Sequence, residues 1–531
     1  MKKSTKMLLS LFASVSLLAA CGGNNETGES SEPTNESTVT QVGGTIKIGL
    51  AANPNSLDPT AYTGQYESNV IRQIGDTLVI YSDDFSEFKP SLATEWSVSE
   101  DGLTYTFSLR DDVKFQAGEY QDGRSMTAED VKYSLERSAF DSALNRLSGV
   151  ESVEVLGEYE VAIHLTSPSS ALMAMLTDSG NIIVPKEEVE GWGDQFGQHL
   201  VGTGPFSLDT IQSGQQIDLK RNENYWGEAA NLDGVIFKVI TDANMMINSL
   251  LSGDIDLATD IRGQNREIIE NANGVSLTSI PGFSTTYLDM NMMEGPTANE
   301  KVREAIYMAT NVEEIVNGVN QWGGAEVSYS PLPKASWGYM ENAEEFVPDY
   351  DPEAAKALLA ETEYADGFSI DMYLSDARVP YATIFQDQMK TNLNIDVQIH
   401  PQEWGTYSET VSTGQASMNI GAWSWYPDPY FYLNQEFHSN SIGSLGNGRG
   451  YNNSEVDALL DSALSETDQE ARTDLYQQAL EIIMADYSRI ELELSETANG
   501  ISDKVVGYNV LANNSITLVN NEGTNVSLQG N

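Results

Sequence analysis

From Thr45 onward the chain switches repeatedly between two hydrophobic periods, and this interleaving limits the folds open to it. In LTYTFSLR, Leu103, Tyr105, Phe107 and Leu109 occupy alternate positions, the period of a strand with one buried face. YEVAIHL (159–165) repeats the pattern, and QQIDLKR, GVIFKVIT, TTYLDMN, FSIDMYL and IDVQIHP are further strand candidates. Helices with readable starts stand between them. In MTAEDVKYSLER, Thr127 can cap the first turn with Asp130 three residues on. In DYDPEAAKALLAE, Asp351 is a cap and Pro352 takes the first helical position, where a missing N–H matters least. NEKVREAIYMAT, NSEVDALLDSAL and DQEARTDLYQQALEIIMAD read the same way. Strands and helices mixed over 531 residues predict two or three domains of α/β or α+β type, with a cleft between lobes.

The first 42 residues follow another logic. Lys2, Lys3 and Lys6 precede a short apolar run, 7–20, which ends Leu18-Ala19-Ala20-Cys21. The run is too short for a stable membrane-spanning helix and has the form of an export signal, with residues 1–20 as the signal peptide. Small residues before a cysteine at this point resemble the lipobox of bacterial lipoproteins, which implies cleavage before Cys21 and lipidation of its thiol. The alternative is an ordinary secretory signal with a chance cysteine. Residues 21–42 are polar and rich in Gly, Asn, Glu, Ser and Thr, the composition of a flexible tether. Cys21 is the sole cysteine, so the chain forms no internal disulfide.

Charge excludes one class of partner. There are 79 acids against 28 bases, a formal net charge of -51, and phosphate backbones need Lys and Arg. No nucleic acid is expected, and contact with a membrane is expected only through the lipid. Catalytic patterns are missing as well. The four histidines, His164, His199, His400 and His438, have no metal-ligand spacing, and the sequence holds no HExxH, Walker A loop or GxSxG elbow. GNGRG (446–450) reads as a mobile loop. No metal, cofactor or catalytic residue is expected.

A set of segments in order carries a resemblance. NSLDPTAYTGQYESNVIRQIGDTLV, LATEWSVSEDGLTYTFSLRDDVKF and DGRSMTAEDVKYSLER come first, followed by GTGPF (202–206), LKRNENYW (219–226) and LLSGDIDLA (251–258). NEKVREAIYMATN, DPEAAKALLAE, EWGTY (403–407), WYPDP (425–429) and NNSEVDALLDSAL complete it. The set, which runs from about Gly44 to the C-terminus, resembles bacterial extracellular solute-binding proteins of the oligopeptide/dipeptide/nickel class. The resemblance implies a two-lobed periplasmic-binding-protein-like fold, with a small domain inserted in the first lobe and a hinge of two crossover strands near SIPGFSTTY and RIELELSE. It places lobe I at 43–58, 183–283 and 497–531, the inserted domain at 59–182 and lobe II at 284–496. It also implies the partners and location: an ABC permease with its ATPase subunits, and a monomer lipid-anchored outside the cell membrane.

The site follows from the same register. Family members that bind peptides pair the α-ammonium with an aspartate at the head of a "D-Y-x-D/E-P" run, and here that place holds Trp425, in Trp425-Tyr426-Pro427-Asp428-Pro429. Either the ligand is a peptide whose ammonium meets another acid, with Asp428, Glu491 and Glu493 as candidates, or it lacks an ammonium, as an oligosaccharide does. Thr63, Gly64 and Gln65 match a pocket-lining segment, and Trp404 a contact tryptophan. Gly421, Ala422 and Trp423 match a strand offering backbone groups, and Arg378 falls near a position that meets the ligand's far end. The first expectation is an oligopeptide-capturing subunit of an ABC importer, the second the same fold with an oligosaccharide or other solute. A peptide-folding or signalling lipoprotein and a secreted hydrolase are the remaining alternatives.

Overall fold

Two long antiparallel strands, Val275–Met290 and Arg489–Ser502, form the spine of an eleven-stranded sheet. They pair from Val275 opposite Ser502 to Asp289 opposite Arg489. The computed structural model describes residues 40–41, 43–54, 56–62, 64–142 and 146–529. The signal segment, Cys21, the tether up to 39 and Thr63 lie outside them, and so does the side chain of Trp404.

One end of the spine builds the first lobe. Leu257–Ala258 pairs there with Ile501 and Gly500, and is followed outward by Thr45–Leu50, Gly234–Val239, Gln216–Arg221 and Phe206–Gln212. Ile46, Ile48, Val235 and Phe237 are fully buried in this sheet, whose core also takes Val70, Ile71 and Ile74. At the other end Met418–Trp423 pairs with Val275–Met290 from Thr285 to Met290, and Ser369–Leu374 and Asp396–Pro401 lie beyond it. The ladder between the long strands is interrupted between Pro281 and Ser284. The chain thus has the two-lobed, mixed α/β form, with two strands crossing between lobes.

A separate four-stranded antiparallel sheet joins Ala93–Val98, Thr104–Leu109, Glu160–Leu165 and Val150–Gly157 in that spatial order. Its inward residues Tyr105, Phe107 and Leu109 are the alternating set read from the sequence. The segment after it packs on the second lobe: Ser170 N–H donates to Leu464 O at 3.0 Å, and Leu172 and Met175 share one core with Phe431, Tyr432 and Leu460.

Local signals hold where the sequence carried them. Asp130 accepts from the N–H of Thr127 at 2.9 Å and starts Ala128–Asp141. Asp351 accepts from Glu353 and Ala354, with Pro352 opening Pro352–Leu359. Two expectations are corrected. The tether is structured at its end, because Thr40–Gln41 pairs with Ser527–Gln529. The GNGRG segment is packed, with Asn447 0% and Arg449 2% exposed. A Cβ at Gly448 would stand 1.9 Å from Val411 O, so the glycine permits a backbone approach there.

Candidate functional site

Helix Gln65–Ile74 forms one wall of the site, and its sequence divides its surface by function. Gln65, Asn69 and Gln73, four residues apart, form one stripe of amides. Gln65 Nε2 donates to Asn514 O at 3.3 Å and Gln73 Nε2 to Ile516 O at 2.7 Å, while Asn69 accepts from Ile516 N–H at 2.9 Å. These bonds fix the helix to the C-terminal segment. Its last turn is held by Gly204 N–H and Gln116 Nε2, which both donate to Ile74 O. Gly202 and Gly204 of GTGPF are required here: a Cβ on either would come within 2.8 Å of the helix-end backbone. The neighbouring stripe, Ser68 and Arg72, is left to face a cavity.

Asp178 organises the polar floor of that cavity. It accepts from the Tyr62 hydroxyl at 2.7 Å, from Gly180 N–H at 2.7 Å and from the Tyr426 hydroxyl, and Arg146 Nε lies 3.0 Å away. Burial, with the adjacent Asp178 charge, holds the Tyr62 phenol well above its ordinary pKa, so it remains a donor. Arg146 also donates to Tyr62 O at 2.6 Å, and its guanidinium lies 3.9 Å from the Tyr62 ring centre. Among the described residues Arg72 reaches only hydroxyls, Ser179 at 3.3 Å and Ser68 at 3.4 Å. Burial pulls its pKa below the ordinary value, with Tyr62 and Asp178 acting in opposition.

The facing wall comes from the second lobe. Met418–Trp423 pairs on one side with Val275–Met290, where Tyr287, Thr286 and Thr285 stand opposite Gly421, Ala422 and Trp423. On its other side Ser369–Leu374 ends opposite Ile420. Among the described residues, 421–423 therefore have one edge without a strand partner, an arrangement open to an added strand. The strand leads into Trp425, which is 40% exposed and lies nearly parallel to Trp423 and Phe431 with centroids 6.3 Å from each. Trp423 is fixed by donating from Nε1 to Phe431 O at 2.7 Å. The walls enclose a cavity of about 510 Å³, lined by Gly64, Gln65, Arg72, Arg146, Trp425 and Tyr430 among others. That volume is within the usual range for small-molecule sites.

The sequence candidates separate into groups. Gly64, Gln65 and Trp425 line the cavity. Gly421, Ala422 and Trp423 are not among the lining residues but form the strand that leads into Ser424 and Trp425, with Gly421 packed on the Tyr287 ring. Trp404 begins Trp404–Ser412. Arg378 and Glu493 are not among the lining residues: Arg378 lies 5.7 Å from the Tyr381 ring centre, and Tyr381 donates its hydroxyl to Glu493 at 2.8 Å.

Two acids expected to receive an ammonium are corrected. Asp428 is 3% exposed, pairs with Arg472 at 3.0 Å and accepts from Tyr430 N–H at 3.0 Å, so it anchors the start of Tyr430–Phe437. Glu491 is 4% exposed and faces a buried ionic cluster in which Arg489 contacts Asp289 at 2.7 Å and Glu436 at 2.8 Å. Asp428 serves an internal arginine and Glu491 is enclosed near one, which spacing along the chain does not reveal. Sequence reasoning missed Tyr62, Ser68, Arg72, Arg146, Asp178 and Tyr426. The available signal was scarcity: with 28 bases in 531 residues, an arginine in NVIRQI, on the helix stripe of Ser68, needs a reason.

Comparison with known proteins agrees with this geometry. Residues 87–444 match the model of the bacterial extracellular solute-binding proteins, family 5. A probable D,D-dipeptide-binding periplasmic protein of Escherichia coli K12 is 30% identical over 485 residues, covering 87% of this chain and 91% of that protein. Among solved structures, HbpA2 of Haemophilus parasuis superposes with a TM-score of 0.82 at 26% identity, over 92% of this chain and 100% of that one. The ABC-transporter-associated periplasmic binding protein DppA of Helicobacter pylori, in complex with the peptide STSA, gives 0.78 at 28% identity, over 92% and 99%.

Proposed function

Because the chain belongs to family 5 of the bacterial extracellular solute-binding proteins, which bind cargo for transport and are not enzymes, we propose that it captures oligopeptides for an ABC importer. The peptide would lie in the cavity between helix Gln65–Ile74 and Trp425, and closure of the lobes would present it to a membrane permease. One observation carries this reading: the cavity draws its walls from both lobes, and its lining residues Ser424 and Trp425 continue a strand whose residues 421–423 have no strand partner on one side among the described residues. Main-chain pairing along that edge would recognise peptides with little regard to side chains. The peptide ligands named for the similar proteins of Escherichia coli and Helicobacter pylori support the substrate class.

The rest of the proposal rests on the sequence. Lipidation at Cys21 would hold the protein outside the membrane, with 43–58, 183–283 and 497–531 as lobe I, 59–182 inserted, and 284–496 as lobe II. Among the described residues no helix is long and apolar enough to cross a membrane. A second reading, an oligosaccharide ligand, is favoured by the exposed Trp425 face, which suits sugar C–H surfaces. Native mass spectrometry of the protein as purified tests both readings. Retained masses spaced as amino-acid residues support the peptide, and hexose increments replace it with a sugar.

A further inference from the structure

The charges around the cavity do not balance. Three charged side chains line it: Arg72, Arg146 and Asp178. Asp178 is the counter-ion of Arg146, and the Tyr62 and Tyr426 hydroxyls with Gly180 N–H take its remaining acceptor capacity. No carboxylate among the described residues stands within 4.0 Å of Arg72. Among the described residues its side-chain hydrogen bonds are the two long ones to Ser68 and Ser179, and those hydroxyls are already 2.8 Å from each other. Arg72 Nε has no hydrogen-bond partner among the described residues. Arg72 is half-buried, and the part of its guanidinium that is withdrawn from water, Nε, is a charged donor of the kind that folds normally pair. Here the unpaired group borders the cavity, in a chain with nearly three acids per base to choose from.

We infer that the missing partner is the solute itself: the cavity takes a ligand bearing a carboxylate, which docks on Arg72 beside Ser68 and Ser179. This rests on the cavity being the solute site. The geometry suits the assignment. A carboxylate would receive two charge-assisted bonds from the fork of Arg72, and the Ser68 and Ser179 hydroxyls can turn to donate to it. Asp178, the carboxylate on the wall, is already engaged by three hydrogen-bond donors and the Arg146 charge. The carboxylate can come from the C-terminus of a peptide or from an acidic side chain.

Titration calorimetry with three peptides distinguishes these sources. Ala-Gln-Ala carries only the terminal carboxylate, the amide of Ala-Glu-Ala only the side-chain one, and the amide of Ala-Gln-Ala neither. One of the first two is expected to bind at least about tenfold more tightly than the third, the retained arm identifying the source. Arg72→Met should abolish that preference, weakening the favoured carboxylate-bearing peptide far more than the neutral one, and Arg72→Lys should restore part of it. Equal binding of all three peptides overturns the inference, and so does an equal loss for all three in Arg72→Met, which would make Arg72 structural. If no peptide binds, the peptide reading fails separately, and glutarate decides the point. A rise in the wild-type melting temperature with glutarate that Arg72→Met lacks sustains the carboxylate site; no rise overturns it.

Discussion

Glu491 should make this protein's stability fall as pH rises across the neutral range, and Glu491→Gln should reduce that dependence. The cluster around it contains three carboxyl groups, Asp289, Glu436 and Glu491, and two guanidiniums, Arg449 and Arg489, all inside the second lobe. One proton among the carboxyls balances the count. Glu491 is the group placed to carry it: its nearest cation, Arg489, is 3.9 Å away, and neither of its oxygens has a hydrogen-bond partner among the described residues. Burial pushes its pKa up to about 8, against the pull of Arg489. Glu436, also raised by burial, is at about 7. The unfolded chain releases the Glu491 proton near the ordinary value of about 4.3, while the folded chain keeps it to about pH 8. Unfolding in that window therefore releases a proton, and stability declines with pH at up to about 1.4 kcal/mol per unit. The contribution is complete below about pH 4.3 and lost by about pH 8. The full shift corresponds to a ceiling of about 5 kcal/mol, and sharing of protons with Glu436 reduces this to about 2–3 kcal/mol. Urea unfolding of wild type and Glu491→Gln, followed by tryptophan fluorescence at about pH 5.5 and about pH 9, measures the effect as a double difference. The variant should gain about 2–3 kcal/mol on wild type between the two conditions. A double difference under about 0.5 kcal/mol, or a variant that is relatively weaker at the higher pH, refutes the assignment of the proton.

Other perturbations separate fold from site. Arg472→Met strands Asp428 without its 3.0 Å partner and should cost about 3–5 kcal/mol by urea unfolding, whereas a surface pair would cost under about 1. Trp425→Ala should weaken solute binding about tenfold by calorimetry and leave the melting temperature within a few degrees of wild type, because the ring is 40% exposed. The opposite pattern would make Trp425 a packing residue. Tyr426→Phe removes the hydroxyl that joins the second lobe to Asp178, and should speed solute release in stopped-flow measurements more than it slows capture.

Legibility in the sequence followed the range of the physics involved. Strands and helix starts were readable because their signals are local: the alternation in Leu103–Leu109, or Asp351 ahead of Pro352, fixes structure within a few residues. The ends of the tether were not, since Thr40–Gln41 becomes a strand only by meeting Ser527–Gln529, almost the whole chain away. Arg449 shows the same limit. In a glycine run it looks exposed, yet it is buried against Asp289, and its glycines are there to let backbones close over it. Asp428 and Glu491 could be placed near the cleft by register but not oriented, because which side of a turn or strand a carboxylate faces depends on where Arg472 and Arg489 arrive. The most informative residue, Arg72, was visible only as a rare base in an acidic chain, on the helix stripe of Ser68.

The central claim is that the space between helix Gln65–Ile74 and Trp425 is where the solute is held. A crystal structure of the protein with its retained or added ligand tests this directly. Extended solute density between Gln65 and Trp425, with an acidic group on Arg72 and main chain along the free edge of 421–423, is the expected result. Ligand bound elsewhere on the protein, with water alone in this cavity, would contradict it.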